Sequence, residues 1–185
     1  MRAKKNGQSA LFLLDVIDTL SKHKIPYAVI GAFAGAFYGM VRASLDADAL
    51  ISLTDSKFSP QALTDIFSKE GLIVELRLGD SRDPVKGIVR LSDKYDNQVD
   101  LILGIRGMDE DALKRTVVVS FSGRKIKIIG VEDFVAMKIF AGSPRDIDDA
   151  RSALDISRKN IDFTLLEDLV KNYGRKELAL LKSLL

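Results

Sequence analysis

The sequence contains no cysteine and only one histidine among its 185 residues. The lack of cysteine excludes disulfides and thiolate metal sites, and it is typical of a cytoplasmic protein. With His23 as the one histidine, a Ser-His-Asp hydrolase or a histidine-rich zinc centre is hard to build. His23 follows a predicted helix and is more simply interpreted as part of a solvated helix end.

Long apolar runs and a strong excess of one charge are also missing. No apolar stretch approaches the roughly eighteen residues needed to cross a membrane, and Asp15 and Asp18 interrupt the region where a signal peptide would need apolar residues. The formal net charge of +2 gives little support for a dedicated nucleic-acid surface. We therefore expect a cytoplasmic globular protein with no membrane association.

Hydrophobic patterning predicts a mixed sheet region followed by helices. Helices are predicted over 9–22, 31–41 and 61–69, strands over 27–30, 46–53, 72–76, 87–91 and 98–103, a hairpin over 116–121 and 125–129, and helical structure from 132 to the end. The predicted fold class is α+β, a mixed β-sheet flanked by helices. We divide the chain into a core, residues 1–130, and a C-terminal helical lobe, residues 131–185, packed on that core.

The segment between residues 31 and 48 carries the most information about chemistry. Gly31 ends one predicted strand, and Asp46 and Asp48 open the next. Residues i and i+2 of a strand point to the same side, about 7 Å apart. Two like charges held together are costly unless a cation or proton joins them. A hard divalent ion would do so, although this spacing is also common on solvated strand faces.

Two further features favour a site for a metal and a phosphate. Asp100 interrupts the otherwise apolar strand 98–103, where a lone carboxylate is expensive to bury. Three carboxylates from two strands, together with phosphate oxygens, could hold Mg²⁺ or Mn²⁺. The glycine turn at Gly31 can bring backbone N–H groups close to a phosphate, and the following helix adds the positive end of its dipole.

This order of residues resembles the nucleotidyltransferase superfamily, whose fold is the polymerase-β-like one. In that family a strand, a glycine turn and a short helix precede a strand with two aspartates, and a third aspartate follows on a later strand. The matching positions are Gly31, Gly39, Arg42, Ser44, Asp46, Asp48 and Asp100. A second segment, in which Lys138 precedes Arg145 and Asp146, is similar to a C-terminal signature of the small, abortive-infection-type branch.

The resemblance implies a nucleotidyltransferase fold and an Mg²⁺-dependent enzyme. Such an enzyme moves a nucleoside monophosphate from an NTP such as ATP to a hydroxyl and releases pyrophosphate. It implies that Asp46, Asp48 and Asp100 are the catalytic and metal-binding residues. It implies nucleotide contacts from Gly31, Ala32, Arg42, Ser44 and Lys138. The acceptor stays open between a protein side chain, an RNA end and a small molecule.

Departures from the family pattern keep an alternative function open. Ala32 stands where the family has a second glycine or a serine, Ser44 replaces a threonine, and Ala47 is smaller than the usual aliphatic residue. None of these removes a carboxylate. The alternative is a non-catalytic nucleotide-binding regulator, or a toxin–antitoxin-type protein with a cognate partner. A plain structural domain, in which the three aspartates never meet, is a further alternative.

Two of the basic residues also have structural interpretations. Arg42 could brace the neighbouring strand instead of reaching a phosphate. Lys138 could form a salt bridge with Asp146 or Asp149. Asp146 itself follows Ser143 at a predicted helix start, so it could simply cap that helix.

Overall fold

A computed structural model describes residues 2–40, 46–53 and 58–185. Over these ranges the chain forms seven β-strands and seven α-helices, which confirms the predicted α+β class. In chain order they are α1 Ser9–Lys22, β1 Tyr27–Ile30, α2 Gly31–Phe37, β2 Asp46–Ile51, α3 Pro60–Lys69, β3 Ile73–Leu78, β4 Gly87–Ser92, β5 Gln98–Ile102, β6 Val117–Phe121, β7 Arg124–Ile128, α4 Val131–Ala141, α5 Pro144–Ser157, α6 Phe163–Tyr173 and α7 Arg175–Leu184.

The strands form one mixed sheet in the order β3-β4-β5-β2-β1-β7-β6. Two pairs are parallel, β2 with β5 and β1 with β7, and the other neighbours are antiparallel. The parallel pair β2–β5 lies near the middle of the sheet. Strands 46–51 and 98–102, far apart in sequence, are therefore direct neighbours.

One face of these central strands is the core of the protein. Ala47, Ala49, Val99 and Leu101 alternate along β2 and β5 and are at most 2% exposed. Helix α1 packs against the same two strands. Residues at the intervening positions point the other way, because side chains alternate along a strand. That second face, which we call the open face, carries polar side chains.

Three predicted elements differ from the observed ones by two residues or more at one end. The helix predicted over 31–41 ends at Phe37, because Gly39 adopts a left-handed backbone (φ +85°) that a helix cannot continue through. The strand predicted over 72–76 is shifted to 73–78, where its last residue pairs with Gly87 of β4. The strand predicted over 46–53 ends at Ile51.

The C-terminal part is helical from Val131, as predicted. The predicted cap at the start of α5 is confirmed, since the Ser143 side chain accepts a hydrogen bond from the Asp146 backbone N–H. Phe134 is fully buried and Phe140 stacks on Tyr173, with ring centroids 4.6 Å apart. These aromatic rings pack the lobe, and the division of the chain at residue 130 stays a prediction. None of the helices in the described ranges has the length and apolarity that a bilayer crossing requires.

We predict that Leu101→Ala lowers the free energy of unfolding by about 2–5 kcal/mol, because it leaves a cavity under a central strand. Leu101 is 0% exposed, whereas Leu78 on the edge strand β3 is 61% exposed. Leu78→Ala is the matched control and should change stability by roughly 0.5 kcal/mol or less. Urea unfolding of the three proteins measures both effects; equal losses would contradict the assignment of the core face.

Candidate active site

A row of directly paired, mostly charged residues crosses the open face of the sheet. Glu75 of β3 pairs with Arg90 of β4, Arg90 with Asp100 of β5, and Asp100 with Asp48 of β2. We call these four residues the charged row. Beyond Asp48, the next paired residue across the sheet is the apolar Ile30 of β1. Directly paired residues present their side chains to the same face of a sheet. The sheet therefore sets two of the predicted aspartates side by side.

The third predicted aspartate, Asp46, lies on the same face. It is two residues before Asp48, is paired with Gln98, and is exposed. Within the ranges 2–40, 46–53 and 58–185, however, no three acidic or histidine side chains converge closely enough to hold a metal ion together. The three aspartates share a face and two neighbouring strands, but they do not form a closed cage.

The glycine turn packs directly on the Asp48 carboxylate. Gly31 joins β1 to α2 with φ +65°, a conformation that side chains other than hydrogen rarely allow. A Cβ atom at this position would lie 2.2 Å from Asp48 Oδ2, far inside van der Waals contact. Glycine is therefore required here by both conformation and space. The next residue, Ala32, is only 6% exposed and is packed into the protein.

Arg90 is a site residue that the sequence analysis missed. Its Nε donates to Asp100 Oδ1 at 2.9 Å, and its Nη2 donates to Asp100 Oδ2 at 2.8 Å. Both oxygens of the third aspartate are thus bound by a two-pronged guanidinium. The Asp100 side chain is 13% exposed and that of Arg90 is 44% exposed, so the pair lies at the surface of the open face.

Carboxylates on three strands, β2, β3 and β5, act on the pKa of Arg90. The hydrogen bond and charge of Asp100 raise the pKa of Arg90 above its usual range, and the charges of Glu75 and Asp46 add to the effect. Arg90 could have been found from the sequence by treating 87–92 and 98–102 as a hairpin. In that hairpin Arg90 and Asp100 lie symmetrically about Tyr95.

Lys138 forms both of the salt bridges considered for it. Its Nζ lies 2.7 Å from Asp146 Oδ1 and 2.8 Å from Asp149 Oδ2, and its side chain is 12% exposed. Burial would raise the pKa of Asp146, but hydrogen bonds from Lys138 and Ser143 outweigh it, so the pKa is lowered. Lys138 is therefore fixed within the helical lobe by two carboxylates.

A cavity of about 370 Å³ connects this lysine to the glycine turn. The cavity is lined by Ile30 and Gly31 from the end of β1 and the start of α2, and by Lys138 and Asp146 from the helical lobe. The rest of its lining is apolar: Pro84, Val85, Ile105, Phe134, Met137, Phe140 and Ala141. This volume lies within the range of about 300–1,000 Å³ that is common for small-molecule sites. Because Gly31 also packs on Asp48, the cavity lies next to the charged row.

The donor chemistry of the site fits a divalent cation. Asp46, Asp48 and Asp100 supply the carboxylate oxygens that Mg²⁺ and Mn²⁺ prefer, and Arg90 already places a positive charge on Asp100. Arg42 and Ser44, the other two expected nucleotide contacts, lie outside the described residues.

Comparison with known proteins identifies the fold. No protein-family model and no curated protein matches this sequence. The antibiotic-resistance factor ANT(2″)-Ia aligns with a TM-score of 0.63 over 97% of this chain and 97% of its own, at 14% identity. The lincosamide antibiotic adenylyltransferase LnuA aligns with a TM-score of 0.52 over 83% of this chain and 99% of its own, also at 14% identity. An antigenic nucleotidyltransferase-like protein from Paracoccidioides brasiliensis gives 0.53 over 98% and 94%, at 16% identity.

These similarities show that the chain has the nucleotidyltransferase fold. The resemblance drawn from the Gly31 turn and the three aspartates is therefore confirmed for the fold. The likeness to the abortive-infection-type branch stays a prediction.

We predict that Gly31→Ala destabilises the protein more than Gly71→Ala does. Both positions have positive φ, +65° and +82°, but nothing lies within 4 Å of a Cβ at Gly71. The left-handed strain should cost each variant about 1 kcal/mol or more, and the collision with Asp48 adds to the cost at Gly31 alone. Thermal and urea unfolding measure the difference. It should shrink in an Asp48→Ala background, and an equal cost at both glycines would show that the turn does not pack on Asp48.

We predict that the stabilisation from Asp146 disappears in acid. Its folded pKa is lowered, so its contribution is present above its unfolded pKa of about 4 and is lost as the pH falls through the folded value. Asp146→Asn should therefore cost roughly 1–3 kcal/mol near neutral pH and progressively less below about pH 4. Asp148, which is 75% exposed, provides the control. Urea unfolding across this pH range checks both variants, and a pH-independent cost of Asp146→Asn would contradict the prediction.

Proposed function

We propose that this protein is a nucleotidyltransferase that moves a nucleoside monophosphate from an NTP to a hydroxyl of a small molecule and releases pyrophosphate, with Mg²⁺ or Mn²⁺ as its cofactor. The observation that carries the proposal is the direct pairing of Asp48 with Asp100 next to the Gly31 turn, in a chain with the nucleotidyltransferase fold. Carboxylates placed side by side on an open sheet face are costly unless a cation serves them.

Asp46 and Asp48 would hold the divalent ion, and Asp100 would complete the oxygen donors from the neighbouring strand. When bound, such an ion offsets the negative charge of the triphosphate and of the departing pyrophosphate. The residues of the chain position the reactants, and positioning together with charge stabilisation supplies most of the catalysis in phosphoryl chemistry.

The transfer itself is an exchange of one phosphorus–oxygen bond for another. The acceptor oxygen forms a bond to the α-phosphorus, the bond from that phosphorus to the bridging oxygen breaks, and pyrophosphate leaves with the electron pair. The proton of the acceptor hydroxyl passes to Asp100. A carboxylate offers about four lone-pair positions, and Arg90 uses two of them in the structure, so Asp100 can still accept a proton.

The nucleotide would lie between the turn and the helical lobe. Gly31 and Ala32 would approach the phosphates, together with Arg42 and Ser44 just before the first aspartate. Lys138 lines the same cavity as Gly31 and is held in place by its two carboxylates. It would meet a ligand there from the lobe side.

A small-molecule acceptor is the favoured choice over a protein side chain or an RNA end. The cavity of about 370 Å³ beside the charged row suits a compact ligand. Two proteins of this fold are described with such molecules: ANT(2″)-Ia in complex with adenylyl-2″-tobramycin and LnuA bound to lincomycin. ATP is accordingly the first donor to test.

A second candidate function is nucleotide binding without transfer, in a regulator that acts with a partner protein. The Arg90–Asp100 pair favours it, because the carboxylate needed for chemistry is engaged by a cation of the protein itself. The absence of a hydroxyl at Ala32 also favours it. Steady pyrophosphate release with any acceptor would exclude this candidate.

We predict that ATP, GTP, CTP or UTP binds in the presence of Mg²⁺ and that Asp46→Asn/Asp48→Asn weakens this binding at least tenfold. The double variant removes two negative charges that would hold the cation, and a factor of ten is about 1.4 kcal/mol. Calorimetric titration of the four nucleotides, with and without Mg²⁺, measures the effect.

Asp168→Asn is the matched control for this titration. Asp168 is 63% exposed on α6 and pairs with Lys171, away from the sheet, so its loss should leave nucleotide affinity unchanged. Undiminished Mg²⁺-dependent binding by the Asp46→Asn/Asp48→Asn protein would contradict the assignment of the site.

A further inference from the structure

Arg90 is the one positively charged residue of the charged row. Reading across the sheet, its side chains are Glu75, Arg90, Asp100 and Asp48, so a positive group lies between two carboxylates on one side and one on the other. Both oxygens of Asp100 are bound by Arg90, at 2.9 and 2.8 Å. The guanidinium therefore supplies the counter-charge that the paired aspartates need.

The Arg90 side chain is also placed where it can move. It is 44% exposed, on the solvent side of a carboxylate that is only 13% exposed. Its other direct neighbour, Glu75 on the edge strand β3, is an exposed carboxylate on the same face. A guanidinium that left Asp100 would thus have a second carboxylate within one strand spacing, about 4.8 Å away.

From this arrangement we propose that Arg90 is a positioning residue that holds Asp100 in the cation-free protein and competes with a divalent cation for it. The inference rests on the proposed function, because it takes the aspartates as the cation site. A guanidinium and a doubly charged ion on the same carboxylate repel each other. This repulsion favours withdrawal of Arg90 towards Glu75 when the ion binds, and the free energy of breaking its two hydrogen bonds reduces cation affinity.

The test is Mn²⁺ binding by the full chain without nucleotide, measured by the loss of the free Mn²⁺ signal in electron paramagnetic resonance. Arg90→Gln removes the competing charge and its two-pronged hydrogen bond. We expect this variant to bind Mn²⁺ about tenfold more tightly than the unmodified protein. An unchanged or weaker affinity would overturn the proposal.

Arg77→Gln is the matched control for loss of a positive charge. Arg77 is on β3, two residues from Glu75 and hence on the same face, but it is 76% exposed and its partner is Asp83, 3.7 Å away. It does not bind Asp100. Its replacement should change Mn²⁺ affinity by about twofold or less, because an exposed charge acts only weakly over distance.

A double-variant cycle separates competition at Asp100 from a general change in charge. In an Asp100→Asn background the carboxylate for which Arg90 competes is gone, so adding Arg90→Gln should alter Mn²⁺ affinity by about twofold or less. A tenfold gain that persists in this background would overturn the proposal. If Arg90→Gln does not fold, as judged by circular dichroism, Arg90→Lys keeps the charge without the two-pronged bond and should give an intermediate affinity; an affinity unchanged from the unmodified protein would count against the proposal.

The cycle also distinguishes failure of this inference from failure of the proposed function. If Mn²⁺ binding depends on Asp46 and Asp48 but is insensitive to Arg90→Gln, the cation site stands and Arg90 has no competing role. If neither the unmodified protein nor Arg90→Gln binds Mn²⁺, with or without ATP, the cation site itself is wrong and both proposals fall together.

Discussion

The parallel pairing of β2 with β5 places two carboxylates, Asp48 and Asp100, directly beside each other, and the rest of the site accommodates that repulsion. A slip of β2 by one residue against β5 would turn Asp46 and Asp48 into the core and expose the buried Ala47 and Ala49. The fully buried face thus fixes the register that brings the charges together. In the structure Arg90, on the neighbouring strand β4, offsets this repulsion with its positive charge.

The same crowding explains the turn at the end of β1. Because Asp48 Oδ2 lies only 2.2 Å from where a Cβ of residue 31 would be, the chain can approach the carboxylate this closely only as glycine. Gly31, at the start of α2, therefore contacts Asp48 and also lines the cavity. Helix α4 of the lobe also lines the cavity, and its Lys138 is fixed by Asp146 and Asp149. A cleft between the sheet and the helical lobe follows from these contacts.

Much of this could be predicted from the sequence, because it depends on local patterns. The glycine before two aspartates, the isolated Asp100 in an apolar strand and the serine-proline start of α5 are short-range signals with direct physical meanings. The salt bridges of Lys138 were considered because Asp146 and Asp149 follow it closely in the sequence. The salt bridges considered for that lysine are confirmed, and its nucleotide contact stays a prediction, since Lys138 also lines the cavity.

What the sequence did not reveal depends on strand order and on packing between distant segments. Arg90 is unremarkable in its own strand, and its role emerges only when β4 is laid against β5 in register. The early end of α2 is likewise invisible to hydrophobic spacing, since it is set by the left-handed backbone of Gly39. The cavity arises where the Gly31 turn, the residues before β4 and helix α4 meet, and no single segment of the sequence encodes it.

The most direct measurement is a crystal structure of the protein with Mn²⁺ and a non-hydrolysable ATP analogue, using the anomalous signal of manganese to locate the ion. We expect a manganese peak within coordinating distance of Asp46 and Asp48, with the triphosphate beside Gly31 and with Arg90 withdrawn from Asp100. A nucleotide bound elsewhere, with no ion on the open face and the Arg90–Asp100 pair intact, would contradict it.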